Sequence, residues 1–174
     1  MTQYFIKSLI ILLLSQTFLF AQDINIDNEV HNSIDSDKPL VIFLHRTGCS
    51  YCNSMEEFTL QNDEVKEYLE SNFTLLAINI TTDKKVTYKG KTTTGLDFAI
   101  KIGYNFYPST LFLNTQGELD YATAGYENEY DFLVLLKFIK SGKFTKLDLE
   151  SYKKSIGYRQ NNENEIVDER KHER

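Results

Sequence analysis

Cysteine is scarce in this chain: 174 residues hold two, Cys49 and Cys52, and the scarcity excludes several chemistries. A disulfide-stapled scaffold draws on several pairs, whereas a domain of this length buries enough apolar surface to fold without cross-links. A structural zinc site needs two more ligands at suitable spacing; His31, His45 and His172 are too scattered to supply them. Covalent haem attachment requires histidine directly after the second cysteine, and Asn53 stands there. No metal and no organic cofactor is therefore expected. Basic residues are also in deficit, with 19 Lys and Arg against 25 Asp and Glu and a formal net charge of -6. A phosphate-binding surface calls for a clustered excess of positive charge, so no nucleic-acid partner is expected.

Apolar runs fall short of membrane length. Residues 8–20 are mostly apolar, roughly 13 residues where a relaxed bilayer span needs about 20. With Lys7 near its start and Ala21 before the polar Gln22 and Asp23, the segment reads as a secretory signal peptide over residues 1–21, with an uncleaved anchor as the alternative. Leu19 is large for the position three before such a cut, which leaves the cleavage point open. No cysteine adjoins the cut, and that excludes a lipid-anchored leader.

Residues 22–37 are polar and are expected to form an N-terminal extension holding one short helix. The domain proper is expected over residues 38–157, starting at Pro39, which suits the head of a strand and not the inside of a helix. Residues 40–45, Leu-Val-Ile-Phe-Leu-His, form a continuous run of β-formers of the kind that is covered on both faces of a sheet. Residues 52–60 then carry a helical pattern with Met55 and Phe58 spaced to face a core, and Val65 and Leu69 mark a second helix. A strand is predicted over residues 73–80. The polar stretch 82–95, with Lys84, Lys85, Lys89 and Lys91, reads as an exposed inserted loop. Helical spacing returns over residues 96–102, stopped by Gly103. Two short strands, 110–113 and 119–124, flank a turn at residues 114–117. An amphipathic helix spans residues 129–139, and residues 147–156 can add another. Strand, helix, strand, helix, strand, strand, helix makes an α/β fold with a mixed sheet and helices on both faces. Residues 158–174 are nearly all polar and are expected to be a disordered charged tail.

The two cysteines stand three apart where the buried strand hands over to a helix. At a helix start, unpaired backbone N–H groups and the positive end of the dipole favour a thiolate, the attacking species in disulfide exchange. Cys49 is therefore the candidate nucleophile. Residues three apart share a helix face, so Cys52 can resolve a mixed disulfide on Cys49. A purely structural disulfide remains the alternative. It would close so small a loop that chain entropy contributes only about 2 kcal/mol, against about 3 for a 15-residue loop.

The run from Leu40 to Cys52, then Tyr107-Pro108-Ser109-Thr110, then Gly125-Tyr126, resembles the thioredoxin superfamily in order and context. The resemblance covers roughly residues 38–143. The stretch from Lys101-Ile102-Gly103 through Gly117 to Phe138 looks most like the secreted thioredoxin-like proteins of bacterial periplasms, including the SoxW type. The resemblance implies that Pro108 is cis and lies against the redox pair, keeping metals off the thiols. It also implies that Tyr107 offers backbone groups to an extended substrate segment. Gly48, Ser50, Tyr51 and His45 complete the implied active-site surface. Two residues depart from the pattern: Gly48 stands where cytoplasmic thioredoxins carry tryptophan, and Phe43 where they carry a buried aspartate. His45 and Glu56 are candidates to stand in for that missing proton acceptor. Tyr51 resembles the second central residue of several periplasmic oxidoreductases.

The expected function is a monomeric periplasmic thiol:disulfide oxidoreductase. Its expected partners are disulfide-containing protein substrates and a membrane electron donor that keeps it working as a reductase. The alternatives are a thiol oxidase or isomerase, and a non-catalytic binding module that kept the fold. A peroxidase is disfavoured because no separate cysteine exists for that role.

Overall fold

The computed structural model describes residues 23–82 and 84–158. The signal peptide and the bulk of the charged tail expected from the sequence lie outside the described residues.

Strand β2 (Leu40–His45) is the centre of the molecule, and its first five residues are buried. It pairs in parallel with β3 (Thr74–Asn79) and antiparallel with β6 (Ser109–Leu113), which in turn pairs antiparallel with β7 (Leu119–Ala124), giving the order β3-β2-β6-β7. Alternate side chains of a strand point to opposite faces, and both faces of β2 are apolar. Val41, Phe43 and Phe112 join one buried cluster, and Leu40, Ile42, Leu44, Leu111 and Leu113 join the other.

The first cluster is covered by α2 (Ser50–Ser54), which continues as a wider helical turn through Met55–Thr59, and by α3 (Asp63–Asn72) and α5 (Glu129–Lys140). Helix α6 (Leu149–Ser155) packs behind α5. It buries Tyr152 and sets the nearly buried Lys153 ammonium 2.8 Å from the Asp131 carboxylate. The second cluster is covered by α1 (Ile26–Ser36) and α4 (Gly95–Ile102), together with a small sheet of β1 (Ile24–Asn25), β4 (Lys85–Tyr88) and β5 (Lys91–Thr94) in the order β1-β4-β5. This is the mixed α/β architecture with helices on both faces that the pattern of elements predicts.

Three expectations are corrected. The polar extension at residues 22–37 is not outside the domain. Ile26 is fully buried, packed with Leu40, Ile42 and Val86, and Val30 lies against the same cluster. Two apolar residues four apart seat this helix, a face too narrow to stand out in a polar segment. The stretch 82–95 is not a plain loop but a hairpin. Its turn residues Lys89 and Gly90 both take positive φ, 52° and 69°, the geometry that matches strand twist in two-residue hairpins. The Asp27 carboxylate accepts hydrogen bonds from the amides of Lys89 and Gly90 at 2.6 and 2.8 Å, so a residue of α1 stabilises a turn whose sequence carries a weak signal. Phe58, expected in the core, is 57 % exposed. The helix widens after Ser54, and a longer turn brings Met55 and Thr59 inward instead.

The buried position of Ile26 makes a direct prediction. Ile26→Ala should cost about 2 to 5 kcal/mol of unfolding free energy, the range for truncating a fully buried aliphatic side chain; a urea titration showing less than about 0.5 kcal/mol would place α1 outside the cooperative domain.

Candidate active site

Strand β2 ends at His45, and Arg46, Thr47 and Gly48 carry the chain to the helix start. Thr47 is held by the far end of β3: its amide donates to Thr81 Oγ1 at 3.2 Å, and its own Oγ1 accepts from Asn79 Nδ2 at 3.1 Å. Gly48 has φ of +74° with nothing near the place a Cβ would take. Glycine is needed here for its backbone conformation and not for space.

Cys49 is the N-cap of α2. Its sulfur accepts the backbone N–H of Cys52 at 3.1 Å. The other α-helices described here start on Asn25, Asn62, Thr94, Asn128 and Asp148, each with a side-chain oxygen in that role. A cysteine sulfur thus replaces the usual oxygen cap at one helix alone among the described residues. Cys49 and Cys52 are joined in a disulfide with their Cα atoms 5.2 Å apart. Their exposure differs: Cys49 keeps 7 % of its surface and Cys52 none.

The opposing wall is the segment before β6. The Tyr107–Pro108 peptide is cis, and the carbonyl oxygen of Tyr107 lies 3.8 Å from Cys49 Sγ. Ser109 Oγ donates to the Phe106 carbonyl at 2.6 Å, and Gly125 N–H donates to the Pro108 carbonyl at 2.8 Å. Three loops therefore meet at the cysteines, from the ends of β2 and β7 and the head of β6. Tyr51 in the first turn of α2, and Phe106 and Tyr126 on two of these loops, are 66, 71 and 39 % exposed. The Tyr107 hydroxyl, by contrast, is buried without a hydrogen-bond partner. Burial raises its pKa, and the positive charge of Arg46 opposes that shift.

Gly48, Cys49, Ser50, Tyr51, Cys52, Tyr107 and Pro108 are thus gathered at one edge of the sheet. His45 is not hydrogen-bonded to either sulfur. Its ring stacks on Phe43 with centroids 5.3 Å apart, and its Nδ1 pairs with Glu56 Oε1 at 2.8 Å. Sequence reasoning missed Phe106, Asn79 and Thr81. The exposure of Phe106 beside Tyr107-Pro108 could have been suspected from its place in the motif; the Thr47 anchor depends on a strand crossing that no local pattern reveals. No group of three or more His, Cys, Asp or Glu side chains suited to a metal ion occurs among the described residues.

A thioredoxin-like domain family model matches residues 26–140, about two thirds of the chain. The chain belongs to that family. A thioredoxin-fold protein from Helicobacter pylori superposes with a TM-score of 0.58 at 22 % identity, covering 74 % of this chain and 96 % of the other. A thioredoxin from Thermus thermophilus gives 0.55 at 18 % identity, covering 72 % and 92 %. Both carry the fold. Mouse anterior gradient protein 3 is 32 % identical over 57 residues, 32 % of this chain, and the match spans 34 % of that protein's length. The thioredoxin-like fold and the Cys49–Cys52 pair fit a thiol:disulfide oxidoreductase.

At its other end the cysteine-bearing helix is tied to the segment after β7, where Thr59 Oγ1 donates to the Glu127 carbonyl at 2.6 Å. Burial pushes the Glu127 carboxyl above the usual range, with the Asp131 charge adding and a hydrogen bond from Thr123 and the Lys153 charge opposing. An acid whose folded pKa exceeds its unfolded value, about 4.3 for Glu, is penalised when charged; the penalty is full above the folded value and gone below the unfolded one. Glu127→Gln should therefore raise the urea midpoint at neutral pH and lose that advantage as pH falls through the carboxylate range. A midpoint difference that does not change with pH would contradict this. The asymmetric burial of the sulfurs gives a second prediction. In the reduced protein iodoacetamide should modify Cys49 at least about tenfold faster than Cys52, read by peptide mass mapping; equal rates would remove the distinction between them.

Proposed function

We propose that this chain is an exported dithiol–disulfide oxidoreductase that reduces disulfides in protein substrates. The observation that carries this reading is the sulfur of Cys49 at the N-cap of α2, facing the carbonyl of Tyr107 at 3.8 Å. In the reduced state the Cys52 N–H that now reaches this sulfur stabilises it most as a thiolate, because a hydrogen bond to an ionised acceptor is the stronger kind. The Cys49 thiolate attacks one sulfur of a substrate disulfide, and the other substrate sulfur leaves as a thiolate. Cys52 then attacks Cys49, the second substrate sulfur departs, and the protein is left as the disulfide seen here.

The shape of the surroundings favours a polypeptide over a small disulfide. Backbone groups at Tyr107 suit an extended segment added alongside as a strand, and exposed Tyr51, Phe106 and Tyr126 offer apolar area to its side chains. The leader-like sequence of residues 1–21 supports export, and the resemblance to secreted periplasmic proteins supports a bacterial periplasm. That compartment is kept oxidising, so a reductant working there must be recharged, in this proposal by a membrane electron donor. The protein acts as a monomer in this reading.

Cys49→Ser should abolish reduction of insulin by the protein, and Cys52→Ser should accumulate a mixed disulfide between Cys49 and the substrate. Full activity in both single variants would exclude a catalytic role for the pair. The reduction potential decides direction: a value near about -270 mV supports a reductase, and one near about -120 mV would assign an oxidant.

A further inference from the structure

Away from the cysteines, the β4–β5 hairpin, α4 and the head of β7 enclose a cleft of about 550 Å³. Strand β7 pairs Leu119 with Leu113 at the cleft and Ala124 with Ser109 beside Pro108. Most of the length of that strand, about 17 Å, therefore separates the cleft from the redox edge. The floor is apolar. Phe98 is buried, and Tyr88, Ile102 and Leu119 are part-buried against the same core cluster while they line the cleft. The walls are pinned to one another: the Tyr88 ring meets Phe98 edge-on with centroids 5.5 Å apart, and its hydroxyl donates to the Gly117 carbonyl at 2.7 Å. The Asp27 carboxylate holds the turn of the hairpin. A cleft ordered in advance spares a ligand the cost of ordering it.

The rim is cationic. Lys89, Lys91 and Lys101 line it against one carboxylate, Glu118, and that carboxylate is already engaged by Lys89 at 2.6 Å. Lys91 and Lys101 are exposed and form no ion pair among the described residues. Asp97 stands one helical turn before Lys101, but its carboxylate accepts from Thr93 Oγ1 at 3.2 Å. Two uncompensated ammonium groups thus share one apolar cleft, in a chain whose formal net charge is -6.

We propose that this cleft binds an amphipathic organic anion, an apolar body carrying one anionic group, at a site separate from the dithiol chemistry. The body lies on Tyr88, Phe98, Ile102 and Leu119, and the charged group is held by Lys91 and Lys101. The volume is that of a small-molecule site, and apolar walls with a few placed charges are the usual lining of one. An inorganic anion would leave the floor unused, and a neutral hydrocarbon would leave the lysines unused. Only a ligand with both parts matches both halves of the cleft.

Amide chemical shifts followed by NMR during titration of the oxidised protein with decanoate test the site. Decanol serves as the counterpart without charge, and acetate as the one without a body. Decanoate should give saturable shifts at Lys91, Phe98, Lys101 and Leu119 and leave Gly48, Cys52 and Ser109 unmoved. Decanol and acetate should each bind at least about tenfold more weakly. Lys91→Gln combined with Lys101→Gln changes two exposed positions and keeps the floor. It should weaken decanoate about tenfold, and added salt should weaken the wild type more steeply than this variant. The absence of saturation, equal binding of decanol, undiminished binding by the double variant, or shifts centred on the redox edge would each overturn the proposal. Insulin reduction plays no part in the readout, so failure here leaves the dithiol reading standing.

Discussion

The hydrogen bond from the Cys52 amide to the Cys49 sulfur is the constraint on which the rest depends. It exists because a helix begins at this cysteine, and the helix begins there because β2 ends four residues earlier and Gly48 turns the chain through a left-handed conformation. Helix starts leave amides without partners, and most proteins satisfy the first of them with an oxygen. Here a sulfur does so. The same local bond that closes the end of the helix is therefore the one that can hold charge on a nucleophile.

That arrangement needs a rigid base, and the base is a strand buried on both faces. β2 cannot slip by one residue without moving Leu40, Ile42 and Leu44 into the space of Val41 and Phe43, which belong to a separate cluster under different helices. Its register with β6 sets Leu44 opposite Ser109, one residue from cis Pro108. The distance from the Cys49 sulfur to the Tyr107 carbonyl is thus a consequence of strand pairing several residues away. Thr47, Asn79 and Thr81 add a third support by tying the connecting loop to β3.

Legibility in the sequence followed how local each signal was. The β2 run, the pair of cysteines, Met55, Val65, Leu69 and the helix at residues 129–140 were readable because continuous or periodic apolar residues are decided by burial alone. The motif marks Gly48 as a site residue, but its positive φ is visible only in the backbone. The second sheet was not readable. β4 reads Lys-Val-Thr-Tyr and β5 Lys-Thr-Thr-Thr, short and mostly polar, and the turn is Lys-Gly, with its amides met by Asp27 from far away in the chain. Phe58 shows the opposite failure: the spacing was right for an ordinary helix, and the helix is not ordinary there. Of the site, the cysteines and Pro108 were legible as a motif, whereas the partner of His45 became visible only when the helix returned Glu56 to the end of β2.

The clasp between Asp27 and the Lys89–Gly90 turn joins residues more than sixty positions apart in the chain. A contact of such long span forms only after α1 has been brought against the β4–β5 hairpin, and it opens whenever α1 lifts away. The amide protons of Lys89 and Gly90 are therefore sensitive reporters on the seating of a helix to which they do not belong. Their exchange with solvent would follow the loosening of the domain's first segment while the redox edge, built on β2 and β6, stays closed.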